Sequence, residues 1–266
     1  MAENVKAQQE EVKAYKKMKK LLGSDAVAFA QPAGFATAFP DFGFRLVIEG
    51  KKVDIHVEYK ADSKAQMGSM RDWQFDGKKF ITPNPGPDKN DLIKIMNENT
   101  TCVSNGKRLI SDFKKYFHKD VSKIYSGMLT IEPDKDSRRR KIENFAKKTK
   151  NYQLANINDT QLGDKIISHY KTKFKKVIRD DADYSILLMM LGDDISIVTT
   201  LGNTNKSITD TINARLGVNS IPKCSGLKAR LEVRIQPRGL NNKTKPVSID
   251  VMASFRLAGG APGVKI

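Results

Sequence analysis

Pro40-Asp41-Phe42-Gly43-Phe44-Arg45-Leu46-Val47-Ile48-Glu49-Gly50-Lys51-Lys52-Val53-Asp54-Ile55-His56-Val57-Glu58-Tyr59-Lys60 reads as a β-hairpin. Phe42, Phe44, Leu46 and Ile48 alternate with smaller or polar residues on the first strand. Val53, Ile55, Val57 and Tyr59 alternate on the second. Period-2 alternation of β-branched and aromatic residues is the signature of a strand with one buried face. Gly50-Lys51 suits a two-residue turn that needs positive φ. Folding about that turn sets Ile48 opposite Val53, Leu46 opposite Ile55, Phe44 opposite Val57 and Phe42 opposite Tyr59. Every pair is apolar, and directly opposed residues share a sheet face.

The same register sets Asp41 opposite Lys60, with Glu58 pointing the same way as Lys60. Two carboxylates and an amine then converge at the open end of the hairpin, away from the apolar stripe. Asp41 and Glu58 offer hard oxygen ligands for Mg²⁺ or Mn²⁺, which takes a few carboxylates and keeps waters and substrate phosphate. Lys60 would offset the charge that develops on a phosphate or lower the pKa of the attacking water. These parts suit metal-dependent phosphodiester hydrolysis. The competing reading is a surface hairpin whose polar face is solvated. Asp54 lies about 13 Å from Glu58 along the strand, too far to share one ion easily, so Asp41 is the preferred ligand. His56 is closer, about 6–7 Å by the same rise, and is read either as a substrate contact or as a surface histidine.

Pro40-Asp41, followed after sixteen residues by Glu58-Tyr59-Lys60, resembles the PD-(D/E)xK nuclease superfamily. That superfamily includes restriction endonucleases, recombination and repair nucleases and viral RNA endonucleases. The resemblance covers roughly the first third of the chain. It implies an α+β or α/β fold: a restriction-endonuclease-like core with a mixed sheet, a catalytic β-hairpin and flanking helices. It implies metal-binding roles for Asp41 and Glu58 and a catalytic role for Lys60. Such cores often begin with a helix that adds a carboxylate, which Glu10 or Glu11 would supply here. The segment after the catalytic strand often returns a polar side chain, for which Gln66 is the candidate, on a short helix capped by Asp62 or Ser63.

Composition points to the partner. The 266 residues hold 47 Lys and Arg against 30 Asp and Glu, a net charge of +17. A charge of that size favours a polyanion, nucleic acid before an anionic membrane surface. The longest apolar run, 186–191, is too short to span a bilayer. The first residues lack a basic, then apolar, leader pattern, so the expectation is an intracellular protein, cytoplasmic or nuclear and not secreted. Two cysteines and three histidines without CxxC or HxxxH exclude a disulfide framework and argue against structural zinc.

The rest of the chain supplies helices, hairpins and basic runs. Glu3 to Leu22 reads as a helix stopped by Gly23. Trp73 to Ile81 reads as a hairpin about Asp76-Gly77. Helices follow near Asp88 to Met96 and Lys107 to Phe117. Arg138-Arg139-Arg140-Lys141 opens the densest basic run and is a candidate for phosphate contact. Leu162, Ile166, Tyr170, Phe174 and Val177 form the apolar stripe of another helix, with Lys171, Lys173, Lys175 and Lys176 on its other side. Tyr184 to Thr199 reads as a third hairpin, its first strand buried on both faces. A short helix is expected over 208–216. The alternating stretches 227–235 and 247–257 read as a late strand pair, with Lys228, Arg230 and Arg234 on one face for a nucleic-acid backbone.

The expected organisation is a nuclease core at 1–122 and a basic nucleic-acid-binding region of helix and hairpin at 123–266. The expected function is a Mg²⁺- or Mn²⁺-dependent endonuclease, with DNA favoured over RNA and no membrane partner. A homodimer is the simplest way for one site per chain to cut both strands of a duplex. The alternatives are an RNA or structure-specific nuclease of the same superfamily, and a non-catalytic nucleic-acid-binding protein.

Overall fold

The computed structural model describes residues 2–32, 39–62, 66–70, 73–85, 87–117, 122–125, 130–131, 144, 153–158, 162–202, 206–238, 247–259 and 263–266. These form a mixed α+β protein. In chain order its elements begin α1 (Ala2–Leu22), β1 (Val27–Ala30), β2 (Phe42–Ile48), β3 (Lys51–Lys60), β4 (Gln66–Met70), β5 (Gln74–Phe75), β6 (Phe80–Ile81), α2 (Pro87–Glu98) and α3 (Thr100–Phe117). They continue β7 (Ile124–Tyr125), β8 (Thr130–Ile131), β9 (Gln153–Asn158), α4 (Leu162–Lys175), β10 (Tyr184–Leu191), β11 (Asp194–Gly202), α5 (Lys206–Arg215), β12 (Lys228–Arg238), β13 (Val247–Gly259) and β14 (Val264–Lys265). Among the described residues no helix is long and apolar enough to cross a membrane.

The chain divides into two compact units. The first comprises Met1–Ala65, Thr160–Ala229 and Leu257–Ile266; the second comprises Gln66–Asp159 and Arg230–Arg256. The expected boundary after residue 122 falls inside the second unit's first segment.

The first unit holds a six-stranded mixed sheet in the order β1-β2-β3-β10-β11-β14. Only β3 and β10 run parallel. The β2–β3 hairpin turns at Glu49-Gly50, not at Gly50-Lys51. Both turn residues have positive φ, 53° and 76°, the pattern of a turn whose twist matches the flanking strands. The pairs are therefore Ile48 with Lys51, Leu46 with Val53, Phe44 with Ile55 and Phe42 with Val57. This is two residues from the expected register. An even slip leaves every side chain on its face, so apolar alternation could not distinguish the two.

On one face Phe42, Phe44, Leu46, Val53, Ile55 and Val57 are all fully buried. Met18 and Leu22 of α1 and Ile208 and Ile212 of α5 belong to the same core. Tyr15 stacks on Phe44 at 5.2 Å and meets Phe42 edge-on at 5.8 Å. Truncating one of these side chains, as in Leu46→Ala, costs about 2–5 kcal/mol at a site that cannot collapse.

The opposite face is not solvated. Asp54 and His56 are fully buried and Glu58 is 5% exposed. The ring of Phe174, on α4, lies 5.0 Å from the His56 ring, and that of Phe29, on β1, lies 4.9 Å away. A Cβ at Gly43 would collide with the Phe29 ring, so glycine there lets Phe29 lie across β2. His56 is thus neither a surface residue nor open to substrate. The sheet is a middle layer, with α1 and α5 on one side and α4 on the other.

The second unit contains a sheet ordered β4-β13-β12-β9, with β8 also on β13, and a small sheet β6-β5-β7. The expected late strand pair is β12–β13. The hairpin expected at Asp76-Gly77 closes instead across 76–79, with Phe75 opposite Phe80. Asp76 Oδ1 accepts the Lys78 and Lys79 amides at 2.8 Å, and the longer loop gives both orphan donors a partner. The expected short helix carrying Gln66 is strand β4, which pairs with β13 from Met70 opposite Ala253 to Gln66 opposite Arg256. Its residues carry no helical periodicity, and pairing to β13 decides its form.

Candidate active site

Asp41 sits where the chain enters β2. The observed register brings it level with Glu58 rather than Lys60, because Phe42 pairs with Val57. Its Oδ2 accepts the Tyr59 amide at 2.7 Å, which fixes the carboxylate beside the strand. Lys60 Nζ donates to Glu58 Oε1 at 2.6 Å and lies 3.6 Å from Asp41 Oδ2. The structure thus brings the three expected residues together, by a different register. The other oxygen of Glu58, Oε2, is buried, and the Tyr170 hydroxyl donates a hydrogen bond to the same carboxylate.

Two further side chains act on this cluster. Glu11 of α1 has its carboxyl raised above the usual range by burial, an effect that Lys60 opposes and Glu58 reinforces. Glu10 instead pairs with Lys13 at 2.8 Å. Of the two glutamates left open by the sequence, Glu11 is the one beside the site. Tyr170 of α4 is held well above the ordinary phenol value by burial and by the Glu58 and Asp41 carboxylates. Its hydroxyl is a proton donor at any ordinary pH. The sequence placed Tyr170 in the apolar stripe of its helix. A hydroxyl in a stripe otherwise built of Leu, Ile and Phe was the one available signal of a polar environment.

The charges are out of balance. Asp41 is pushed up from 3.8 to about 7, first by burial and then by Glu58, against the pull of Lys60. Burial works against the charge on Lys60, but Glu58 and Asp41 outweigh it and raise the amine above its ordinary value. Lys60 is therefore an ammonium, unsuited to act as a base. Among the described residues one cation, Lys60, faces the carboxyls of Asp41, Glu58 and Glu11.

Such an excess of buried carboxyl is what a divalent cation relieves. The donor set fits Mg²⁺ or Mn²⁺: hard carboxylate oxygens held together in a buried cluster. Among the described residues no group of three or more His, Cys, Asp or Glu is arranged to hold a metal by itself. Two protein carboxylates completed by water and phosphate are an ordinary Mg²⁺ shell. Asp54 is excluded as a ligand, because both its oxygens are taken by Arg45 at 2.6 and 2.8 Å.

No protein-family model matches the chain. Neither the curated proteins nor the solved structures yield a match.

The remaining expected residues are more scattered. Gln66 belongs to the second unit, and its side chain lies outside the described ones. Arg138, Arg139, Arg140 and Lys141 also lie outside the described residues. Lys228 opens β12 and is exposed. Arg230 is already committed to Glu232 at 2.8 Å, and Glu232 also takes Arg256 at 2.9 Å. Arg234 lies on the same strand, with its side chain outside the described ones.

Proposed function

We propose that this chain is a Mg²⁺- or Mn²⁺-dependent endonuclease with a restriction-endonuclease-like core, hydrolysing phosphodiester bonds in DNA before RNA. The observation that carries this reading is the buried pair of carboxyls, Glu58 and Asp41, the second raised toward neutrality, beside the ammonium of Lys60. The layering supports it too: a leading helix on one face of a mixed sheet, an antiparallel hairpin carrying the acids, and a helix on the other face. Asp41 and Glu58 would hold the metal, with Glu11 adding negative charge from α1. The bound ion would polarise the phosphodiester and lower the pKa of its water. Lys60 stands where its ammonium offsets charge building on the phosphate oxygens. Tyr170 and the layer beneath α4 keep bulk water from the buried side of Glu58, which strengthens each of these interactions. The net charge of +17 supplies the long-range attraction to a polyanion. Two chains acting as a homodimer would cut both strands of a duplex.

Cleavage tests this directly. The protein is incubated with supercoiled plasmid, linear duplex, single-stranded DNA and RNA, in Mg²⁺, in Mn²⁺ and in EDTA. Lys60→Ala and Glu58→Ala run alongside. Metal-dependent cutting that both substitutions abolish is the expected result, and the preferred substrate separates the DNA and RNA readings. Binding without cutting by all three proteins would replace the enzyme by a nucleic-acid-binding protein. Cutting that survives both substitutions would place the active site elsewhere.

A further inference from the structure

Lys173 is one of four lysines at the C-terminal end of α4, yet it does not share the others' surroundings. Lys171, Lys175 and Lys176 are exposed, whereas Lys173 is half-buried. Its Nζ lies over the Phe39 ring, 4.8 Å from the centroid, and 5.9 Å from the centroid of Tyr170. Phe39 in turn stacks on Tyr170 at 6.0 Å with the planes 24° apart. Aromatic faces hold an ammonium without neutralising it. Among the described residues Lys173 has no carboxylate partner, which sets it apart from Lys17, Lys52 and Lys60.

Its place in the fold gives that charge a use. Phe39 stands two residues before Asp41, and Tyr170, whose hydroxyl feels Glu58 and Asp41, stands one helical turn before Lys173. The charges acting on Asp41 are those of Glu58, Lys60 and Glu11. Lys173 is therefore not the counter-ion of the carboxylate cluster. It is a separate cation, held over the ring of Phe39, two residues before Asp41, and near that of Tyr170, whose hydroxyl acts on the carboxylates. A lone, oriented ammonium beside a phosphodiester-cleaving centre matches a backbone phosphate next to the one being cut. We propose that Lys173, held by Phe39 and Tyr170, binds a flanking phosphate of the nucleic-acid strand and sets the register of the scissile bond. The proposal rests on the nuclease reading and extends it to the substrate's neighbouring nucleotide.

The test is the salt dependence of binding to a short DNA duplex and to its single strand, in EDTA, so that cutting does not intervene. Lys173→Gln keeps much of the stem that covers the rings but loses the charge, while Lys173→Arg keeps the charge. Thermal melting establishes that each variant is folded. The expected result is that Lys173→Gln weakens binding about tenfold and lowers the slope of log affinity against log salt by about one. Lys173→Arg stays near the wild-type slope, and Lys173→Gln raises KM more than it lowers kcat in the metal-dependent reaction. An unchanged slope and affinity in Lys173→Gln, with cutting intact, would overturn this role and leave the nuclease reading standing. Failure of the wild type to bind either strand form would overturn both.

Discussion

The two ends of the polar row on β3 use the same residue types to opposite effect. At the Asp54 end the buried acid is fully paired. Arg45 takes both oxygens of Asp54 and, at 2.6 and 2.8 Å, both of Asp181. Lys52 adds a contact to Asp181 at 3.2 Å. These partners hold Asp181 well below the usual carboxylate range. At the Glu58 end the acids outnumber the cation, and Asp41 is driven up rather than down. Buried charge that is fully paired reads as architecture; buried charge left incomplete reads as a site for something else.

Substitutions at the two ends should separate these roles. Lys60→Ala should lower metal-dependent cleavage per folded molecule by about a hundred- to a thousandfold, the scale for removing one group that stabilises transition-state charge, over and above the stability lost as Glu58 gives up its buried partner. Arg45→Ala should cost stability alone. It leaves Asp54 buried and unpaired, which costs about 3–5 kcal/mol in urea denaturation, while the folded fraction still cleaves. If Arg45→Ala lost cleavage without losing stability, the division between the two ends would fail.

A smaller effect sharpens the same contrast, measured in EDTA. Asp41 is raised from 3.8 to about 7, so between those values the folded state holds a proton that the unfolded state releases. That group's contribution is present below about pH 4 and is lost as pH rises through about 7. His56 is lowered from 6.5 to about 4, chiefly by burial, so it contributes in the opposite direction. Its contribution is present above 6.5 and is lost as pH falls toward 4. The two slopes oppose one another across nearly the same window. Asp41→Asn should raise the melting temperature at neutral pH and steepen the loss of stability in acid. His56→Phe should do the opposite, making the protein gain stability as pH falls from neutral. Identical pH profiles for the two variants would refute the assignment.

The apolar faces of the hairpin were legible because alternation depends only on parity. The register was not, because a slip of two conserves parity and the decision lies in Glu49 accepting positive φ beside Gly50. Asp41, Glu58 and Lys60 came together in spite of that slip, since all three lie at one end of the strands. The burial of His56 and Glu58 was hidden, because it depends in part on Phe174 and Tyr170 of α4, more than a hundred residues later in the chain. The same distance concealed Tyr170: its spacing reports only that it faces the sheet, not that a carboxylate waits there. Strand β4 was missed for a related reason. Its five residues have no pattern of their own and take their form from β13.

The most direct measurement is Mn²⁺ binding by titration calorimetry on the wild type and Glu58→Gln, below and above about pH 7, in buffers of different ionisation heat. The site described here predicts saturable binding that tightens as pH rises toward 7. Below that pH, binding releases a proton as Asp41 gives up its own. Glu58→Gln should abolish it. Equal binding by the wild type and Glu58→Gln, or no binding by the wild type at either pH, would contradict the assignment of Asp41 and Glu58 as a metal site.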